Sequence, residues 1–144
     1  MPERCLDASV AIKWFISGEA FRHKALKLLR ESRAAGFTLI APPLFEMETD
    51  SIIQTRVVEG RVTLKVADRT LALLDAAPVV IVTHPQMRQR AREIARQFYQ
   101  RKVYDATYAA LAELRGCEFW TADKVFYDTV KAVLSFVRYL PDYP

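Results

Sequence analysis

The sequence predicts an α/β domain in which helices cover a parallel sheet on both faces. Two observations carry that prediction. Short apolar runs recur along the chain, and each leads towards a segment of helical length and spacing. Strands that alternate with helices build βαβ units, whose crossovers bury a parallel sheet on both sides. The second observation is size and balance. With 144 residues, 51% of them apolar and 26% charged, the chain suits one domain burying roughly 68–70% of its unfolded surface, and it lacks the bias of a disordered segment. No linker, repeat or low-complexity tract divides it, so residues 1–144 read as a single domain.

The elements follow in order. Arg4–Leu6 reads as the first strand and leads into helical stretches at Ala8–Phe15 and Glu19–Ala35. Phe37–Ala41 is the second strand; Pro42 and Pro43 suit the start of the next helix and Gly60 its stop. Leu64–Ala76 is helical, Val79–Val82 is a strand, and a cationic helix covers Met87–Lys102. A helix at Tyr104–Arg115, a strand at Cys117–Thr121, a short helix in Ala122–Val130 and a last strand at Phe136–Leu140 complete the pattern.

Charge narrows the partners without naming one. The net charge of +4 fits a nucleic-acid partner but does not require it. The Met87–Lys102 segment, dense in arginine with Glu93 as its one acid, is open to two readings. It is a solvated helix face, or a surface that tracks phosphates. Cys5 and Cys117 read as small hydrophobes of a reducing compartment. Arg4 and Asp7 interrupt the apolar start, so no signal peptide is expected, and no run approaches a membrane span. A cytoplasmic location is the expectation.

Four acids raise the question of function. In such a sheet, ligands gather beyond the carboxyl ends of the strands, at a topological switch point. Asp7 and Asp123 each close a strand there and each precede a helix, where capping alone explains an Asp. Asp105 opens a helix that is apolar on nearly every side; the helix dipole favours it, but burial makes an unpaired charge costly. Glu48 shares a helix face with Leu44 and Ile52, and Arg56 at a further turn is its salt-bridge alternative. Glu46 points elsewhere and ranks behind Glu48. Carboxylates cluster only around a cation, because otherwise some of them must protonate. An all-oxygen set suits Mg²⁺ or Mn²⁺ rather than zinc, and neither His23 nor His84 has a ligand-like neighbour. Carboxylate-held Mg²⁺ acts typically on phosphate esters.

The segments "CLDASVAIKWF", "APPLFEMETDSII", "VYDATYAALAELRGCEFWTAD" and "FVRYLPDY" resemble, in order, those of PIN-domain ribonucleases, and most closely the compact VapC-type toxins of type II toxin–antitoxin pairs. The resemblance runs over almost the whole chain. It implies a PIN-like three-layer α/β/α sandwich, a five-stranded parallel sheet in the order 3-2-1-4-5, and a Mg²⁺-dependent endoribonuclease. The family's four acids match Asp7, Glu48, Asp105 and Asp123 as catalytic residues and metal ligands, with the hydroxyls of Ser9 and Thr121 in support. The implied partners are an RNA substrate, a second copy of the chain and a cognate antitoxin. Where the family often carries Asn three positions after the second acid, this chain has Ser51, which touches a supporting hydrogen bond rather than the ligand itself.

Two rival classes are weighed against this one. Phosphoaspartate phosphatases need an acid two residues after the first, where Ser9 stands, and receiver domains want an Asp where this chain has Thr83. A non-catalytic PIN-type RNA-binding or scaffold domain is the other alternative; loss of acids would mark it, and all four are present.

Overall fold

The computed structural model describes residues 2–144. Its centre is β1 (Glu3–Leu6), which pairs in parallel with β2 (Thr38–Ala41) on one side and β4 (Glu118–Thr121) on the other. Outside these lie β3 (Val79–Ile81) against β2 and β5 (Val137–Tyr139) against β4, so all five strands are parallel in the order β3-β2-β1-β4-β5. The expected sheet is the observed one. Register places Cys5 beside both Ile40 and Phe119.

Between the strands run α1 (Ala8–Ala11), which continues as a 3₁₀ turn over Ile12–Trp14, and α2 (Arg22–Ala34). Next come α3 (Leu44–Val58), α4 (Leu64–Asp75), α5 (Met87–Gln97), α6 (Tyr104–Arg115) and α7 (Lys124–Val130). From β1 the chain winds outward through β2 to β3, then returns past β1 and winds the other way through β4 to β5. Right-handed crossovers therefore put α1–α4 on one face and α5–α7 on the other. The winding reverses between β1 and β4, and a crevice opens at their carboxyl ends.

Packing fills both faces. Leu6, Leu28, Ile40, Ile94, Leu111 and Phe119 are fully buried. On the α6 side the Tyr108 ring stacks on Phe119 at 5.5 Å and 7°. On the α2 side the Trp14 indole donates to the Ala25 carbonyl at 3.0 Å, so its one polar atom is satisfied inside the core.

Most boundaries fall within two residues of the sequence expectation, and the larger differences have local causes. The second helix begins at Arg22 instead of Glu19, because Phe21 is left-handed (φ 59°) and Glu19 is drawn into an ion pair. The cationic helix stops at Gln97, five residues early, because Tyr99 turns left-handed (φ 54°). Cys117 precedes β4 and is only half-buried, whereas Cys5 is fully buried; both are free thiols. Among the described residues, no helix is long and apolar enough to cross a membrane.

Helix α6 carries Asp105 at its start and delivers β4 at its end, so its termination fixes the distance between two candidate site residues. Gly116 ends it at φ 67°, letting Cys117 N–H reach the Ala112 carbonyl at 3.0 Å. An added Cβ meets nothing within 4 Å there, so a substitution pays in backbone alone. Gly116→Ala is expected to cost about 1–2 kcal/mol, the price of a left-handed L-residue, and Gly116→Asn clearly less. Urea unfolding of the two variants measures the difference.

Candidate active site

Asp7 follows β1 directly and is 4% exposed. It caps α1, since Oδ1 accepts from Val10 N–H at 3.3 Å. It also does what a cap does not need. The Ser9 hydroxyl donates to Oδ1 at 2.5 Å and the Thr121 hydroxyl to Oδ2 at 2.6 Å. Ser9 Oγ accepts from Ala122 N–H at 3.1 Å, and Thr121 Oγ1 from Asp123 N–H at 3.0 Å. The two expected supporting hydroxyls thus fasten the end of β1 to the end of β4. Burial pushes the Asp7 carboxyl up to about 6 even so; the two hydroxyls pull it down, and the Glu48 charge adds to the rise.

The other three acids come from three more elements. Asp123 caps α7, its Oδ1 accepting from Phe126 N–H at 3.0 Å. Asp105 stands half-buried in the first turn of α6. Burial first, then the charges of Asp7, Asp123 and Glu48, push its carboxyl up to about 7. Glu48 projects half-buried from α3, and burial raises it as well. A pocket of about 460 Å³ is lined by Glu48, Asp105 and Asp123 together with Tyr99–Lys102 and Tyr104. Asp7 is not in its wall but acts on Asp105 through its charge. A larger pocket, about 530 Å³, lies at the opposite edge between Glu3, Cys117 and Phe136, away from all four acids.

Among the described residues, no group of three or more His, Cys, Asp or Glu side chains stands close enough to hold a metal ion as positioned. The chemistry of the donors still fits a hard divalent cation. They are carboxylates without a histidine or thiolate, and two of them are held well above the ordinary carboxylate range by burial and mutual repulsion. Glu48 Oε1 is moreover buried with no hydrogen-bond partner, the state of a ligand atom lacking its ion.

Arg56 is not the partner of Glu48. It bonds Glu19 Oε1 at 3.0 Å, with Lys13 Nζ 3.9 Å from the same oxygen, so this cluster sits half-buried near Asp7, whose charge acts on Lys13. Burial lowers Lys13, and Glu19 opposes that shift. Glu46 is exposed and lines no part of the acidic pocket, and Ser51 is exposed too. One neighbour escaped the sequence reading. The Tyr108 hydroxyl is buried beside Glu48, outside hydrogen-bond geometry and with no other partner. Its position, one helical turn after Asp105 on α6, was the available signal.

Residues 4–132 match the family model of the PIN domain, so this chain belongs to the PIN-domain family. Among solved structures it resembles PAE2754 from Pyrobaculum aerophilum, with a TM-score of 0.65 at 20% identity over 93% of this chain and 95% of that one. It also resembles Mycobacterium tuberculosis VapC20, described as a toxin cleaving the sarcin–ricin loop, with a TM-score of 0.63 at 18% identity over 90% and 95%. These likenesses are of fold. A comparison with curated protein sequences returns no match.

The raised carboxyls give a pH signature. Asp7 and Asp105 bind protons more readily folded than unfolded, where an Asp titrates near ~3.9. Between about pH 4 and 7 the native state therefore holds the extra protons, and its stability falls as pH rises through that window. The melting temperature of cation-free protein should climb as pH is lowered from about 7.5 to 5. Asp105→Asn should flatten that slope, and calorimetry across the series reads it directly.

Proposed function

We propose that this chain is a Mg²⁺-dependent endoribonuclease, Mn²⁺ being an alternative ion, and the toxin of a toxin–antitoxin pair. The observation that carries the proposal is the acid arrangement in a PIN-family chain: four carboxylates from four elements act on one another at the switch point of the sheet. The solved VapC20 structure, of a toxin that cleaves RNA, shares the fold and supports the same class of activity.

In this reading Asp7, Asp105 and Asp123 hold the cation, and Glu48 joins them directly or through water. When bound, the ion supplies an activated water and neutralises charge on the attacked phosphate. The chain's own residues do the rest. Ser9 and Thr121 lock both Asp7 oxygens in one orientation, so the carboxylate keeps its free lone pairs aimed at one place. Arg101 and Lys102, on the pocket wall, hold the phosphates that flank the scissile one. Tyr104, 46% exposed with Lys102 Nζ 5.7 Å from its ring centre, limits access from the outer side.

Assembly belongs to the same proposal. Met47 and Val58 on α3, with Leu64 and Leu73 on α4, leave apolar side chains exposed on one helical hairpin, and a second copy of the chain covers them. An antitoxin lays a segment across the acidic groove and sets a basic side chain near the acids. Sedimentation finding only monomer at micromolar concentration would count against pairing.

Asp7→Asn separates a ligand from a cap. Asn caps a helix about as well as Asp, and it removes one charge from the repelling set. The variant should melt at or above the parent temperature while RNA cleavage falls by at least ~100-fold, the loss that even outer-shell partners of a metal can cause. Cleavage is followed in Mg²⁺ and in EDTA. Full activity of Asp7→Asn, or activity that survives EDTA, would overturn the metal-nuclease reading. RNA binding without any cleavage identifies a binding or scaffold domain instead.

A further inference from the structure

Helix α5 ends in a way its sequence does not favour. Gln100 N–H reaches the Ala95 carbonyl at 2.8 Å and Tyr99 N–H the Arg96 carbonyl at 3.4 Å, the double bond pattern that places a left-handed residue just past a helix. Glycine usually fills that position, as Gly116 does after α6. Here it is a tyrosine at φ 54°. A left-handed L-residue is strained by its Cβ, and a buried ring would offset the strain. This ring is not buried: Tyr99 is 93% exposed.

What surrounds the ring gives it a use. Tyr99, Gln100 and Arg101 belong to the wall of the acidic pocket and also to that of a second, mostly apolar trough of about 510 Å³. Arg92, Ala95, Arg96 and Val103 complete the trough. Arg92, Arg96, Arg101 and Lys102 make no ion pair among the described residues, whereas Arg90 on the same helix is held by Glu113 at 2.6 Å. Arginine stems in an apolar wall leave their charged heads to solvent. An exposed aromatic face between unpaired cations, continuous with a phosphate-cleaving site, has the chemistry of single-stranded nucleic acid binding. Cations follow the backbone and rings take the bases.

We propose that Tyr99 is a base-stacking subsite for single-stranded RNA. A nucleotide adjoining the scissile phosphate turns its base out of the acidic pocket and lays it on the Tyr99 ring over the trough, while Arg92, Arg96 and Arg101 hold the backbone beside it. This rests on the nuclease reading and deepens it. A duplex keeps its bases stacked within itself, so the subsite selects unpaired segments.

The test uses the whole chain in an Asp7→Asn background with Mg²⁺, so that RNA is bound and not cut. The probe is a fluorescein-labelled homopolymeric single-stranded RNA, with an RNA duplex for comparison, read by fluorescence anisotropy. Removing one base–aromatic stack, worth about 1–3 kcal/mol, weakens binding by roughly 5- to 150-fold. Tyr99→Ala should show that loss on single strands and little on duplex, and Tyr99→Phe should bind as the parent does. Tyr99→Asn keeps a residue that tolerates the left-handed backbone but lacks the ring, so it should lose as much as Tyr99→Ala. Recovery in Tyr99→Asn would assign the effect to backbone shape and overturn the proposal. Parent-like affinity in Tyr99→Ala, as for a ring that serves only a protein partner, overturns it too, as does an equal loss on duplex. The two readings fail separately. A chain with all four acids that cuts RNA regardless of Tyr99 keeps the nuclease and loses the subsite. Tyr99-dependent binding by a chain that cuts nothing keeps the subsite and loses the nuclease.

Discussion

One carboxylate joins the two halves of this sheet. Asp7 takes a hydroxyl from its own helix on one oxygen and a hydroxyl from β4 on the other. The strands β1 and β4 belong to opposite windings of the chain, so this clamp ties the two windings together beside the crevice where the winding reverses. The same residue is nearly dry and faces other acids. Two donors on one carboxylate would ordinarily draw its pKa down, yet burial outweighs them. Around it lie Asp105, whose carboxyl its own burial and then the neighbouring charges push up to about 7, a Glu48 oxygen without a hydrogen bond, and the Tyr108 hydroxyl beside Glu48. Buried polar atoms without partners are rare in folded chains, and here two lie side by side.

The cationic segment resolves into two populations. Arg90 pairs with Glu113 across to α6, tying the two helices together, and with Glu93 along its own helix. Arg92, Arg96 and Arg101 face the trough beside the acidic pocket. A solvated structural face and a phosphate-tracking surface were alternatives for the segment as a whole; the geometry divides it between an ion-paired residue and an unpaired set. The positive rim around a negative pocket also makes sense electrostatically. A polyanion meets attraction at the edge before it meets the repulsion of the acids.

The sheet was legible because its information is local. Each strand is a short apolar run and each crossover a helix with its own start and stop, so order and direction follow from alternation and from the resemblance of the motifs. Asp7, Asp105 and Asp123 were legible for the same reason, since each sits at the boundary of an element. What the sequence hid is settled across space. Arg56 prefers Glu19, 37 residues away, to the acid two turns back on its own helix. Glu19 in turn leaves the helix that spacing assigned to it. The left-handed Tyr99 breaks the cationic helix where composition would continue it, because the local rule that favours glycine there is set aside. Tyr108 reads in sequence as one more aromatic in an apolar helix, and only the position of α3 puts its hydroxyl beside Glu48.

The strand order also has a consequence for biosynthesis. The central strand β1 leaves the ribosome first, but one of its two neighbours, β4, is made more than a hundred residues later, and Thr121 lies 114 positions from the carboxylate it holds. The half-sheet β1–β2–β3 can gather during translation, since domains build from the amino end as the chain emerges. The crevice cannot. Contacts of such sequence separation are slow to form, so the acids meet only after β4 and the start of α7 have been made. Until β4 emerges, a nascent chain carries these charges apart, and the acidic cluster comes into being only when β4 joins β1.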